Sequence, residues 1–261
     1  MKIDSLTHVT SDGDWYGTGH DASLDRLLRE MDKASMDKAV VVAMAGYIPN
    51  DYVFRVCSNH ADRLIPGASL NPCSHAKPEQ AACEAESVLG CDDFPVLKLH
   101  PRMNGYDPLD ERCLALLETL RSRKVKVWLD SIFRNGKCLM SKPPVDTMHT
   151  LLQTFPDVDF VLLHGGGPLL LQMAELLTGH PNLTLDLSLT INQYRHTSIS
   201  NDILYILNKR EMRTCVGSDF PEYTPTETLA ELDRLARLID IPEQSLKRIT
   251  GGNLTRLLEL R

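Results

Sequence analysis

Four apolar stretches of this chain stop abruptly at a residue able to do chemistry: Val96-Leu97-Lys98-Leu99-His100, Val125-Lys126-Val127-Trp128-Leu129-Asp130, Phe160-Val161-Leu162-Leu163-His164 and Cys215-Val216-Gly217-Ser218-Asp219. A fifth, at the start, runs Ile3-Asp4-Ser5-Leu6-Thr7-His8. Two carboxylates, Asp130 and Asp219, set beside His8 and His164 can titrate apart, one group staying basic to activate water while another donates a proton. Lys98, His100 and Arg102 form a cationic cluster suited to an anionic substrate, with the Arg102 fork matching a carboxylate. The other reading of Lys98 is that it pairs with Asp130 or Asp4 to neutralise an acidic mouth.

Buried strands that end in ionisable residues point to a parallel sheet wrapped in helices, with the active site at the C-terminal ends of its strands. Strands are predicted near residues 2–8, 39–45, 64–70, 95–100, 125–130, 159–164, 183–189 and 213–218. Between them apolar residues recur at helical spacing over 23–36, 109–121 and 226–238, and Pro78-Glu79, Pro143-Pro144 and Pro225-Thr226-Glu227 mark helix starts. A last amphipathic stretch, 243–260, is predicted to break at Gly251-Gly252-Asn253. Strand and helix alternate without a return hairpin, so the expected fold is α/β, a single (β/α)8 TIM barrel over residues 1–261. Residues two apart on a strand share a face, which aligns Asp4, Leu6 and His8 on the first strand and Lys98 with His100 on the fourth. No GxGxxG follows the first strand, and Gly165-Gly166-Gly167 lacks the Lys-Ser/Thr of a nucleotide loop.

The chain has 261 residues, 43% of them hydrophobic, and a formal charge of -7 with no basic run. Nucleic acid is therefore not an expected partner. No apolar run approaches the roughly 20 residues that cross a bilayer, so no membrane partner is expected either. The N-terminus leads straight into a strand, and the seven cysteines form no CxxC pair. Free thiols and a cytoplasmic location are the expectation. The expected partner is a small-molecule substrate, and a Leu-rich face on the last helices suggests a homo-oligomer.

Ile3-Asp4-x-x-x-His8, Lys98-Leu99-His100-Pro101, Leu163-His164-Gly165-Gly166-Gly167, Gly217-Ser218-Asp219-Phe220-Pro221 and Ile249-Thr250-Gly251-Gly252-Asn253-Leu254-Thr255-Arg256-Leu257-Leu258, in that order, resemble the amidohydrolase superfamily, in its amidohydrolase-related branch of small hydrolases and decarboxylases. The resemblance implies a mononuclear metal held by a His-x-His on strand one, a His on strand five and the Asp of strand eight, with the strand-six His beside it. His8, His164 and Asp219 match. Leu6 replaces the first His of the pair, and Asp130 replaces the strand-five His. His8, Asp130 and Asp219 still offer three ligands, a set that suits manganese as well as zinc. Asp is shorter than His, and Leu6 is apolar, so a metal-free site stands equally open. Two carboxylates near two imidazoles can hydrolyse an activated ester or lactone without metal, whereas an amide needs a Lewis acid more. Metal-free lactonases occur in that branch. A carbamylated Lys98 bridging two metals occurs in other branches, but Leu6 argues against it here.

The expected function is hydrolysis of a small carboxylated or cyclic substrate: lactone, ester or amide. Asp219 serves as the base, His164 polarises the carbonyl or shuttles protons, and His8 and Asp130 complete the site. Lys98, His100, Arg102 and Arg195 bind substrate. Metal-dependent decarboxylation, or binding of a small acid or sugar without turnover, are the alternatives. Trp15 and Tyr16 could wall the pocket, and Arg134, Asn135, Gln193 and Tyr194 lie on catalytic-side loops. Asp186 is read as structural, inside a strand. His20, His60, His75, His149, His180 and His196 are read as surface or capping residues.

Overall fold

The computed structural model describes residues 1–91, 93–132 and 140–260. Arg134 and Asn135, singled out in the sequence, lie outside them, as does one of the seven cysteines, Cys138. Eight strands pair in parallel in sequence order: β1 (Ile3–Thr7), β2 (Lys38–Val42), β3 (Leu64–Leu70), β4 (Val96–Leu99), β5 (Lys126–Asp130), β6 (Phe160–Leu163), β7 (Leu183–Asp186) and β8 (Thr214–Cys215). Beyond β8 the chain closes on β1: Ser5 N–H donates to Val216 O at 3.3 Å, Asp219 N–H to Leu6 O at 3.0 Å and His8 N–H to Phe220 O at 2.8 Å. The fold is a (β/α)8 barrel, and no helix of the described residues is long and apolar enough to cross a membrane.

Alternation along the strands sorts the side chains. Leu97, Leu99, Val127, Leu129, Phe160 and Leu162 pack outward into the large core shared with the helices. Val96, Trp128 and Val161 turn inward with Ile3, Leu6, Val40 and Val42. Lys98 and Asp130, two residues beyond Val96 and Trp128, therefore face the barrel interior. Strand seven stops at Asp186, four residues into the predicted 183–189 segment, so Asp186 is a strand-end residue and not an interior one.

The terminal segment breaks at the glycines, as its sequence predicts. Helix Glu243–Lys247 gives way to a distorted turn at Arg248–Gly252, and then to helix Asn253–Leu257. The Leu-rich face expected to support an oligomer is largely consumed here. Leu254 and Leu258 are buried in the inner barrel cluster, and Leu257 and Leu260 pack against it. Among described cysteines Cys57, Cys73, Cys83, Cys113 and Cys215 are free thiols.

Closure between β1 and β8 depends on Gly217. A Cβ there would collide with Ser5 Oγ and lie 2.7 Å from Asp4 Oδ1 and 2.8 Å from Leu6 N. Gly217→Ala is expected to destabilise the fold by about 1–3 kcal/mol, as overpacking does. A lowered urea midpoint at unchanged m-value checks this; an unchanged midpoint would mean the two strands do not approach so closely.

Candidate active site

The C-terminal strand ends surround a cavity of about 280 Å³ lined by His8, Trp15, Lys98, His100, Arg102, His164, Gln193, Asp219 and Glu222, among others. Its floor is organised by a carboxylate that does not line it. Asp130 is fully buried, with Oδ2 3.3 Å from Arg102 Nη2, 3.5 Å from His100 Nε2 and 3.3 Å from His164 Nε2. These neighbours outweigh the cost of burial and hold its carboxyl well below the usual carboxylate range.

Hydrogen-bond partners define the state of each imidazole. His164 faces two acceptors: Nε2–H points to Asp130 and Nδ1–H to Ser188 O at 3.0 Å. Despite its burial, its pKa is raised by the Asp130 hydrogen bond and by the charges of Asp219, Asp130 and Asp186. With an acceptor at each ring nitrogen, His164 is arranged as an imidazolium. His100 Nδ1 accepts from Met103 N–H at 3.4 Å, leaving Nε2–H for Asp130. Burial pushes its pKa down to about 3, so it is neutral. His8 donates Nδ1–H to Val42 O at 2.7 Å and presents the Nε2 lone pair to Lys98 Nζ at 3.0 Å. Burial and the Lys98 charge hold it neutral as well. Lys98 is 2% exposed, and burial lowers its ammonium to about 8. Its nearest polar partner is an imidazole, not the Asp4 or Asp130 carboxylate expected of a neutralising pair.

His164 reaches the mouth through backbone geometry that strand alternation does not predict. Leu163 already faces inward, so a regular strand would send His164 outward. Instead His164 has φ 63°, and Gly165, Gly166 and Gly167 follow at φ 55°, 80° and 56°. This left-handed run favours glycine and turns the ring into the cavity. Asp219, at φ 56°, is turned similarly at the end of β8. Burial raises its carboxyl pKa, against the pull of His164 and Lys98. Trp15 stacks on His8 with centroids 5.3 Å apart and donates to Glu222 at 2.7 Å, forming a wall.

The structure brings His8, Lys98, His100, Arg102, His164 and Asp219 together at this cavity and leaves two of the nominated residues off it. Arg195 is held by Glu231 at 3.3 Å and by Asn192 at 2.5 Å, and it does not line the cavity. Asp130 is a fully buried counterion and does not line the cavity. Asp186, read in the sequence as structural, and Ser188, passed over there, lie behind His164. The Ser188 hydroxyl bonds Asp186 Oδ2 and lies 3.2 Å from His164 Nδ1. Only the early end of β7 reveals them, and apolar periodicity does not register it. Glu222 had no sequence signal beyond following Asp219-Phe220-Pro221. None of His20, His60, His75, His149, His180 and His196 lines the cavity.

The amidohydrolase family model matches residues 7–260. The chain belongs to the amidohydrolase family. No curated protein matches the sequence. An uncharacterised TIM-barrel protein from Bordetella bronchiseptica superposes with a TM-score of 0.80 at 17% identity, covering 99% of this chain and 98% of its own. A probable 2-pyrone-4,6-dicarboxylic acid hydrolase from Acinetobacter baumannii, with citric acid bound, gives 0.69 at 16% identity and 99% coverage of each chain. A 5-carboxyvanillate decarboxylase from Novosphingobium aromaticivorans, complexed with manganese and 4-hydroxy-3-methoxy-5-nitrobenzoic acid, gives 0.68 at 14% identity, covering 100% of this chain and 96% of that one. At these identities the likeness establishes the fold.

A divalent metal is found in such neighbours, but this amidohydrolase's donor set does not fit one. Asp130 is committed to Arg102, His100 and His164, Leu6 is packed in the inner core, and the His8 Nε2 lone pair meets Lys98. Among the described residues no group of three or more His, Cys, Asp or Glu is arranged to hold a metal ion.

A second buried carboxyl gives a stability test. Asp4 accepts from Ser218 N–H at 2.9 Å and Leu6 N–H at 3.2 Å through Oδ1, but Oδ2 has no partner, and burial pushes its pKa to about 7. The folded state therefore holds a proton that the unfolded carboxyl releases near its ordinary 3.8. This stabilisation is fully present below about pH 4 and lost as pH rises through about 7, by at most about 4 kcal/mol. Asp4→Asn keeps the Oδ1 acceptor and is expected to flatten that decline, gaining on the wild type at pH 8 relative to pH 5 in urea unfolding. A variant with the same pH slope as the wild type would contradict it.

Proposed function

We propose that this amidohydrolase hydrolyses a small cyclic ester or lactone bearing a carboxylate. The observation that carries the reading is a carboxylate, Asp219, lining a small cavity with three cationic groups, Lys98, Arg102 and His164, while the second lining carboxylate, Glu222, accepts from Trp15. Arg102 uses Nε and Nη2 on Asp130, which leaves Nη1 for the substrate carboxylate. Asp219 takes a proton from water as the oxygen adds to the ring carbonyl, and the cations face the oxyanion that forms. Collapse breaks the ring C–O bond, and the leaving oxygen recovers the proton from Asp219. The product is a ring-opened hydroxy acid.

Names of structural neighbours include both a probable hydrolase and a decarboxylase. Hydrolysis is favoured because a water-activating carboxylate and fixed cations need no ligand set beyond the residues present. The small cavity and the cations that line it support a small anionic molecule as the partner.

A panel of carboxylated lactones and esters tests this. Wild type should open at least one, and Asp219→Asn should lower kcat by about a hundred- to ten-thousand-fold, the usual contribution of general acid–base catalysis. Activity needs Asp219 ionised and Lys98 protonated. It should therefore rise on the acid side and fall as pH passes about 8, the value to which burial lowers Lys98. Full activity in Asp219→Asn, or no fall above pH 8, would overturn the assignment.

A further inference from the structure

Where the family pattern calls for a divalent ion, this chain holds an ammonium. Lys98 Nζ lies 3.0 Å from His8 Nε2, and that nitrogen lies 3.9 Å from Asp219 Oδ1. Two of the three ligands suggested by the sequence thus flank one spot, with Nζ beside them. Val42 O fixes the His8 proton on Nδ1, so the Nε2 lone pair is directed at Lys98 and not at an ion. The third, Asp130, is turned into its own cluster, and the fourth position is Leu6.

The cations lining the cavity are not equivalent. His164 has both ring N–H donors engaged, by Asp130 and by Ser188. Arg102 faces Asp130 through Nε and Nη2. Lys98 has three donors and a single hydrogen-bond partner, His8, among the described residues. Two of its N–H groups are left for whatever enters the cavity. An ammonium is a compact point charge, and this one is carried by a buried side chain on β4.

We propose that Lys98 is the electrophile of this site, its ammonium standing where a metal would be held and receiving the carbonyl oxygen of the substrate. The catalytic part of this assignment rests on the hydrolytic reading above; the placement does not. As water adds, a C–O bond forms, Asp219 takes the proton, and the carbonyl π pair moves onto an oxygen held by the two free N–H groups of Lys98. When the intermediate collapses that pair returns, the ring C–O bond breaks, and the proton passes from Asp219 to the leaving oxygen. Lys98 remains an ammonium throughout. The same charge repels a divalent cation from His8 and Asp219.

Metal uptake tests the placement without reference to turnover. Leu6→His and the double variant Leu6→His, Lys98→Met are exposed to zinc or manganese, desalted and assayed for metal per chain, with circular dichroism confirming the fold. Leu6→His alone should take up no more metal than wild type, because the ammonium remains. The double variant should take up at least about ten-fold more, having three donors and no opposing charge. Equal uptake by the two, whether high or nil, overturns the proposal. Should Leu6→His fail to fold, Lys98→Met in the natural background decides it. Its turnover of the lactone opened by wild type should fall roughly a hundred-fold, the cost of losing an oxyanion donor. Added methylammonium should restore part of it, and added zinc or manganese none. Wild-type rates in Lys98→Met, or rescue by metal alone, overturn it. If wild type opens no lactone, the hydrolytic reading fails, and metal uptake by the two Leu6→His variants still decides the placement: a gain confined to the double variant supports it, and equal uptake overturns it.

Discussion

Placing a carboxylate at the inward-facing end of a buried strand obliges its surroundings to supply positive charge or hydrogen-bond donors, because an unpaired ion in a protein interior costs several kcal/mol. Asp130 imposes that demand, and Arg102, His100 and His164 answer it. The rest of the mouth follows. His164 is kept charged, His100 is fixed as the Nε2–H tautomer, and Arg102 is left with only part of its fork for a ligand.

The opposite side of the mouth is built on a second constraint. The short hydrogen bond from His8 to Val42 O fixes which ring nitrogen carries a proton, and so fixes that Lys98 approaches as a donor. Asp219 is delivered by a left-handed residue just past β8, where Gly217 lets the chain pass close over β1. Barrel closure and catalytic geometry are therefore one problem here. The backbone that seals β8 to β1 also aims the carboxylate.

Much of this is legible in the amino-acid sequence. Strand signals marked all eight strands, and the polar residues at their ends named the ionisable centre of the cavity, His8, Lys98, His100, His164 and Asp219, because a parallel barrel leaves polar side chains few other places to go. The break at Gly251-Gly252 was equally plain. What escaped the sequence was direction and pairing. Nothing in the Leu163-His164 step signals that a left-handed turn reverses strand alternation, although the three following glycines are consistent with it. Arg195 reads as a free cation on a catalytic-side loop, yet Glu231, distant in sequence, captures it. Asp186 lies in a run that continues apolar to Leu189 after the hydrogen-bonded strand has stopped. Leu6 and Asp130 were visible as departures from a metal site. That they make room for an ammonium and an ion cluster depended on distances no spacing rule contains.

The imidazole nitrogens carry the most direct test of this charge arrangement. Side-chain ¹⁵N spectra of the histidines at neutral pH should show His164 protonated on both nitrogens, His8 neutral with its proton on Nδ1, and His100 neutral with its proton on Nε2. A neutral His164, or a charged His8, would contradict a mouth organised around Asp130 with Lys98 facing the His8 lone pair.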